Sequence, residues 1–119
     1  MFQGDYLNYL LPVAIVGYFF WRFIKFKKIR SHMKDYLKNG AVVIDVRSPA
    51  EFAQGHSAHS INIPLNELPQ RFGEIDKSKK IILCCASGAR SGMAVTLLKN
   101  NGFQDVMNAG PWVNTMGVE

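Results

Sequence analysis

Apolar residues recur along this chain in three distinct rhythms, and each predicts a different kind of element. From Tyr6 to Ile24 nearly every position is apolar, Asn8 and Arg22 excepted, and Leu10, Leu11, Val13, Ile15, Val16, Phe19 and Phe20 cover all faces of a helix rather than one stripe. Two short continuous runs, Ala41–Ile44 and Ile81–Cys84, are of the kind buried on both faces of a parallel sheet. Helical spacing governs Ser31–Lys38, with Met33, Tyr36 and Leu37 apolar and Asn39-Gly40 as a stop. It returns in Ser91–Asn100, with Met93, Ala94, Leu97 and Leu98 inward and Asn101-Gly102 as the cap.

Punctuation fills in the remainder. Ser48, Pro49 and Glu51 form a capping box that starts a short helix, which runs to about Gln54 and ends at Gly55. Ile61–Ile63 reads as a short strand ended by Pro64. Leu65–Phe72 has a helical pattern that Pro69 must divide into two turns or restart. Lys77–Lys80 is a polar turn, and Phe103–Met107 a last strand. Strands alternating with helices predict an α/β domain, with a central, mostly parallel sheet flanked by helices and one transmembrane helix ahead of it. There is no internal repeat.

The nineteen residues from Tyr6 to Ile24, at about 1.5 Å each, nearly match the roughly 30 Å hydrocarbon core of a bilayer. A signal peptide begins with basic residues and ends on small ones. Here nothing basic precedes Arg22, and the segment closes on Phe19-Phe20-Trp21-Arg22-Phe23. Tyr6, Tyr9, Tyr18 and Trp21 suit the two interfaces, Arg22 and Lys25 can snorkel, and Pro12 lies near the outer end. We therefore expect a membrane anchor and basic juxtamembrane segment over residues 1–30 and a catalytic domain over residues 31–119. The Lys/Arg excess follows the span directly, so the positive-inside rule predicts a single-pass protein of the inner (cell) membrane, N-terminus outside and catalytic domain cytoplasmic.

Charge supports that division. The net charge of +5 is concentrated in Arg22, Lys25, Lys27, Lys28, Arg30, Lys34 and Lys38, while residues 39–119 carry seven basic and seven acidic side chains. A neutral domain with no basic–aromatic groove pattern argues against nucleic acid as a partner. The two cysteines, Cys84 and Cys85, are adjacent, which excludes an ordinary disulfide framework and fits a reducing compartment.

The chemistry is concentrated in residues 84–92, Cys-Cys-Ala-Ser-Gly-Ala-Arg-Ser-Gly, directly after the apolar run Ile81-Ile82-Leu83. A buried strand ending in cysteine, then small residues, then an arginine opening a helix lets successive peptide N–H groups curl around one point. A thiolate at that point is stabilised by the helix N-terminus and a guanidinium. Cys84 reads as a small core residue and Cys85 as the nucleophile. Counted from Cys84, however, the same letters give Cys-x5-Arg-Ser, the spacing of cysteine-dependent phosphatases. Leu83 stands where many of those enzymes have histidine.

Cys85-Ala-Ser-Gly-Ala-Arg90-Ser91 resembles the six-residue active loop of small single-domain members of the rhodanese (sulfurtransferase) family. Val43–Phe52 resembles that family's opening strand and turn, Gly55-His56 with Ile61–Pro64 its second signature, and Asn108-Ala109-Gly110 its closing loop. His59-Ser60 stands where members usually carry Gly-Ala. The resemblance covers roughly residues 31–116. It implies that Cys85 takes the outer sulfur of a small anionic donor such as thiosulfate, becomes a persulfide, and passes the sulfur to cyanide, a thiol or a protein acceptor. It further implies that the N–H groups of Ala86, Ser87, Gly88, Ala89, Arg90 and Ser91 stabilise the sulfur, that Arg90 orients the donor or braces the loop, and that neither metal nor cofactor is needed. A non-enzymatic interaction module is the third reading, since many domains of this fold have lost the cysteine that is present here. His56 and His59 are assigned no ligand, Asp45, Arg47 and Glu51 are read as structural, and Trp112 as core.

Overall fold

The computed structural model describes residues 2–116. Its centre is a sheet of four parallel strands, β1 (Val42–Asp45), β2 (Ser60–Asn62), β3 (Ile81–Cys85) and β4 (Val106–Pro111), in the order β2-β1-β3-β4. The helices are α1 (Phe2–Lys38), α2 (Pro49–Gln54) and α3 (Ala89–Asn100). The crossover helix α3 covers one face of the sheet and the N-terminal helix α1 covers the other. One core holds Ile44, Ile63, Leu68, Ile81, Leu83 and Cys85 with Ala94 and Leu98 of α3. The other holds Val43, Ile82, Cys84 and Ala109 with Ile29 and Met33 of α1. Because side chains alternate along a strand, the two neighbouring cysteines of β3 face opposite cores.

Two elements differ from the sequence expectation. The apolar segment 6–24 and the helix expected at Ser31–Lys38 are one continuous helix, α1, with Pro12 inside it. The junction 25–30 contains neither glycine nor proline, and the spacing of Phe26, Ile29, Met33, Tyr36 and Leu37 carries one apolar stripe from the junction onto the sheet. The chain from Tyr6 to Phe20 is exposed along its whole length. Asp5–Lys38 contains a stretch long and apolar enough to cross a membrane.

The last strand is displaced. Phe103 donates its N–H to the Leu98 carbonyl and completes the end of α3, Gly102 being left-handed with φ +90°, so pairing starts only at Asp105, whose carbonyl accepts from Ile81 N–H. Asn108-Ala109-Gly110, expected as a loop, are therefore strand residues. A bulge occurs there, since Leu83 pairs with Asn108 but Cys84 with Gly110. Leu65–Phe72 is divided into short turns, as its proline requires. Pro69 lies in the first of two 3-10 turns, Leu68–Gln70 and Phe72–Glu74. A further 3-10 turn, Trp112–Thr115, had no signal in the sequence pattern.

The short helix α2 starts as its capping box requires. Ser48 Oγ accepts from Glu51 N–H at 3.2 Å, and Ser48 N–H donates to Glu51 Oε1 at 3.1 Å. His56 closes the other end by placing Nδ1 2.7 Å from the Phe52 carbonyl and stacking on the Phe52 ring.

Candidate active site

The loop after β3 is tight because Gly88 takes φ +105°, a backbone angle that side chains oppose, and this turns the chain into α3 at once. Gly88 N–H thereby points back at Cys85 Sγ, 2.9 Å away, and Ser91 N–H lies 3.5 Å from the same sulfur. Ser91 Oγ is 3.3 Å from it. Burial works against the charged thiol and is the largest single influence on it. The Ser91 hydroxyl and the N–H groups of Ser91, Gly88 and Ser87 together outweigh it, so the Cys85 thiol is held below its ordinary value. Cys84 is the opposite case. Burial, then the nearby Asp45 carboxylate, push its thiol far up, and it is packed among Ile82, Val43 and Met33.

Asn108 secures the loop from β4. Its Nδ2 donates to the Gly88 carbonyl at 2.9 Å, and its Oδ1 accepts from Ser91 Oγ at 2.6 Å and Gly110 N–H at 2.8 Å. The bulge in β4 lets one side chain serve the loop on one side and its own strand on the other.

Of the residues expected around the sulfur, Gly88 and Ser91 are buried against it, whereas Ala86, Ser87 and Ala89 are exposed. Arg90 grips Glu51 instead, with Nη1 2.7 Å from Oε1 and Nη2 2.9 Å from Oε2. Of the two roles expected for Arg90, bracing the loop is the one these bonds perform. The bonds to Arg90 and to Ser48 hold the Glu51 carboxyl down to about 2. Behind them, Arg47 is buried against Asp45 at 2.8 Å, donates to the Gly55 carbonyl at 2.7 Å, and lies over the Trp112 ring.

Cys85 has no exposed surface. The helix α1 crosses above the loop, with the Arg22 guanidinium donating to the Ser87 carbonyl and the Phe26 ring lying over Gly110. From the sequence Arg22 reads as a residue of the lipid interface, and Phe26 carries no signal of this contact. A contact across 65 positions has no local signature.

The sequence of residues 30–109 matches the Rhodanese-like domain family. The chain belongs to that family. Among its relatives, the uncharacterized protein YqhL of Bacillus subtilis is 44% identical over 57% of this chain, and the match spans 54% of that relative's length. The thiosulfate sulfurtransferase GlpE of Stutzerimonas stutzeri is 34% identical, over 68% of this chain and 75% of its own. The crystal structure of a rhodanese-related protein from Thermoplasma volcanium superposes with a TM-score of 0.64 at 31% identity, covering 73% of this chain and 85% of that one. Such relatives support a sulfurtransferase type of function for this rhodanese-like domain.

Proposed function

We propose that this protein is a membrane-anchored sulfurtransferase that carries a sulfane sulfur as a persulfide on Cys85. The observation that carries the reading is the set of donors on one sulfur: Gly88 N–H, Ser91 N–H and Ser91 Oγ surround Cys85 Sγ. Such a cup favours a thiolate and, equally, the terminal charge of a persulfide. In the first half-reaction the Cys85 thiolate attacks the outer sulfur of thiosulfate, an S–S bond forms, and the donor's own S–S bond breaks as sulfite leaves with the electron pair. In the second, a thiolate or cyanide attacks the outer sulfur of the persulfide and Cys85 leaves as thiolate. No redox partner is consumed. The sulfurtransferase relatives favour a small anionic donor and a thiol or protein acceptor.

Residues 6–24 act as the anchor, within an N-terminal segment 1–30 ahead of the catalytic domain 31–119. The basic residues that follow it favour an inner-membrane protein with its N-terminus outside and its domain in the cytoplasm. Against the phosphatase reading, Cys84 faces the core that α1 and Trp112 cover and the donors of the loop converge on Cys85. Against a module without catalysis stands the set of amide and hydroxyl donors gathered on one thiol.

Intact-mass analysis after thiosulfate exposure tests the proposal. The parent and Cys84→Ser proteins gain one sulfur and Cys85→Ser gains none. Uptake that depends on Cys84, or aryl-phosphate hydrolysis lost in Cys84→Ser, overturns it.

A further inference from the structure

Thiolate attack on thiosulfate brings an anion to a dianion, so the site needs cations to hold the donor's sulfonate. Arg90 is an unsuitable source, since both of its terminal nitrogens are engaged by Glu51. A cleft of about 300 Å³ adjoins the loop, lined by Gly88, Ala89 and Asn108 on the domain and by Tyr18, Trp21, Arg22, Lys25 and Phe26 on α1. Two cations and no carboxylate line it. Its floor is Gly88, whose N–H donates to Cys85 Sγ.

We propose that α1 completes the active site and that Arg22 and Lys25 bind the anionic end of the sulfur donor, a small sulfur oxyanion such as thiosulfate. The inference rests on the persulfide reading above. Arg22 at present donates to a neutral acceptor, the Ser87 carbonyl, and keeps further N–H donors for the cleft. A sulfonate oxygen is the stronger acceptor, and the planar guanidinium is suited to grip two of its oxygens. As Arg22 moves from the carbonyl to the sulfonate, the cover over Cys85 opens and the donor's outer sulfur faces Sγ. Lys25, lying 5.1 Å from the Trp21 ring centroid, adds a second charge on the same wall. The N-terminal helix is thus a substrate-binding element as well as an anchor, and the donor enters between helix and loop.

The test uses the full chain in detergent, with thiosulfate as donor and cyanide as acceptor. In Arg22→Gln/Lys25→Gln the KM for thiosulfate rises about ten-fold or more while kcat falls by a smaller factor. Alkylation of Cys85 by the neutral reagent iodoacetamide does not slow. Lys27→Gln/Lys34→Gln, which removes the same charge from exposed positions of α1, leaves KM within about two-fold, and Arg22→Lys retains part of the affinity. An unchanged KM in the first double variant overturns the inference. So does an equal rise in the second, which would make the effect one of overall charge, and so does a parallel collapse of alkylation, which would make it structural. In each of those cases a parent that still acquires sulfur leaves the persulfide reading standing. A parent that acquires none removes both.

Discussion

Arg90 and Glu51 join the first turns of α3 and α2 through two hydrogen bonds of 2.7 and 2.9 Å. The same carboxylate caps α2 through Ser48 N–H, so one side chain ties the loop after β3 to the turn after β1.

This pair sets an acid response. Glu51 has a folded-state value of about 2, below its ordinary 4.5. A depressed carboxylate contributes stability that is complete above the ordinary value and lost as pH falls through the folded one. Glu51→Gln therefore lowers the melting temperature by a constant amount above about pH 5, and the gap to the parent narrows between pH 4.5 and 2. Thermal unfolding followed across that range checks it. A gap that widens on acidification contradicts the assignment.

Ser91 has one hydroxyl proton and two acceptors within reach, Asn108 Oδ1 at 2.6 Å and Cys85 Sγ at 3.3 Å. Ionisation of the thiol makes the sulfur the charged acceptor, and the proton can turn to it. Ser91→Ala removes that option and raises the Cys85 value. Alkylation by iodoacetamide at neutral pH slows about 2- to 10-fold, as expected for one lost hydrogen bond. The pH at which the rate levels off moves upward. An unaltered profile leaves the backbone N–H groups as the whole support of the thiolate.

Asp45 and Arg47 form a pair with side-chain exposures of 0% and 6%. Asp45→Ala leaves the Arg47 guanidinium buried without its counter-charge, and such a loss costs about 3–5 kcal/mol. Urea unfolding shows a correspondingly lower midpoint. Adding Arg47→Ala recovers part of the loss, because the orphaned charge is then gone.

Gly110 carries φ +77°, and a methyl group there would lie 2.5–2.8 Å from three atoms of the Phe26 ring. Gly110→Ala destabilises the fold through both the backbone angle and the contact. Adding Phe26→Ala relieves only the second, so the two substitutions are non-additive. The double-mutant cycle measures how firmly α1 is seated. Additive losses would mean that Phe26 does not rest on Gly110 in solution.

Local patterns were sufficient for much of this protein. The β-branched runs marked β1 and β3, Ser48-Pro49-Glu51 marked the start of α2, and the small residues after Cys85 marked a backbone cup, because each depends on neighbours within a few positions. The limits of β4 were not legible. Phe103 belongs to the end of α3 through a hydrogen bond to Leu98, and nothing in Phe103–Met107 distinguishes that from strand pairing.

The sequence by itself determined the alternation of strands and helices, the apolar helix and the place of the cysteine-bearing loop after β3, since periodicity and turn chemistry are local properties. Only the tertiary structure decided which cysteine meets the amides, because strand alternation sends Cys84 and Cys85 into different cores. It alone joined Arg90 to Glu51 and laid Arg22 and Phe26 over the loop. Those contacts span 39 and 65 positions of chain, and packing against the sheet, not any local preference, brings their partners within reach.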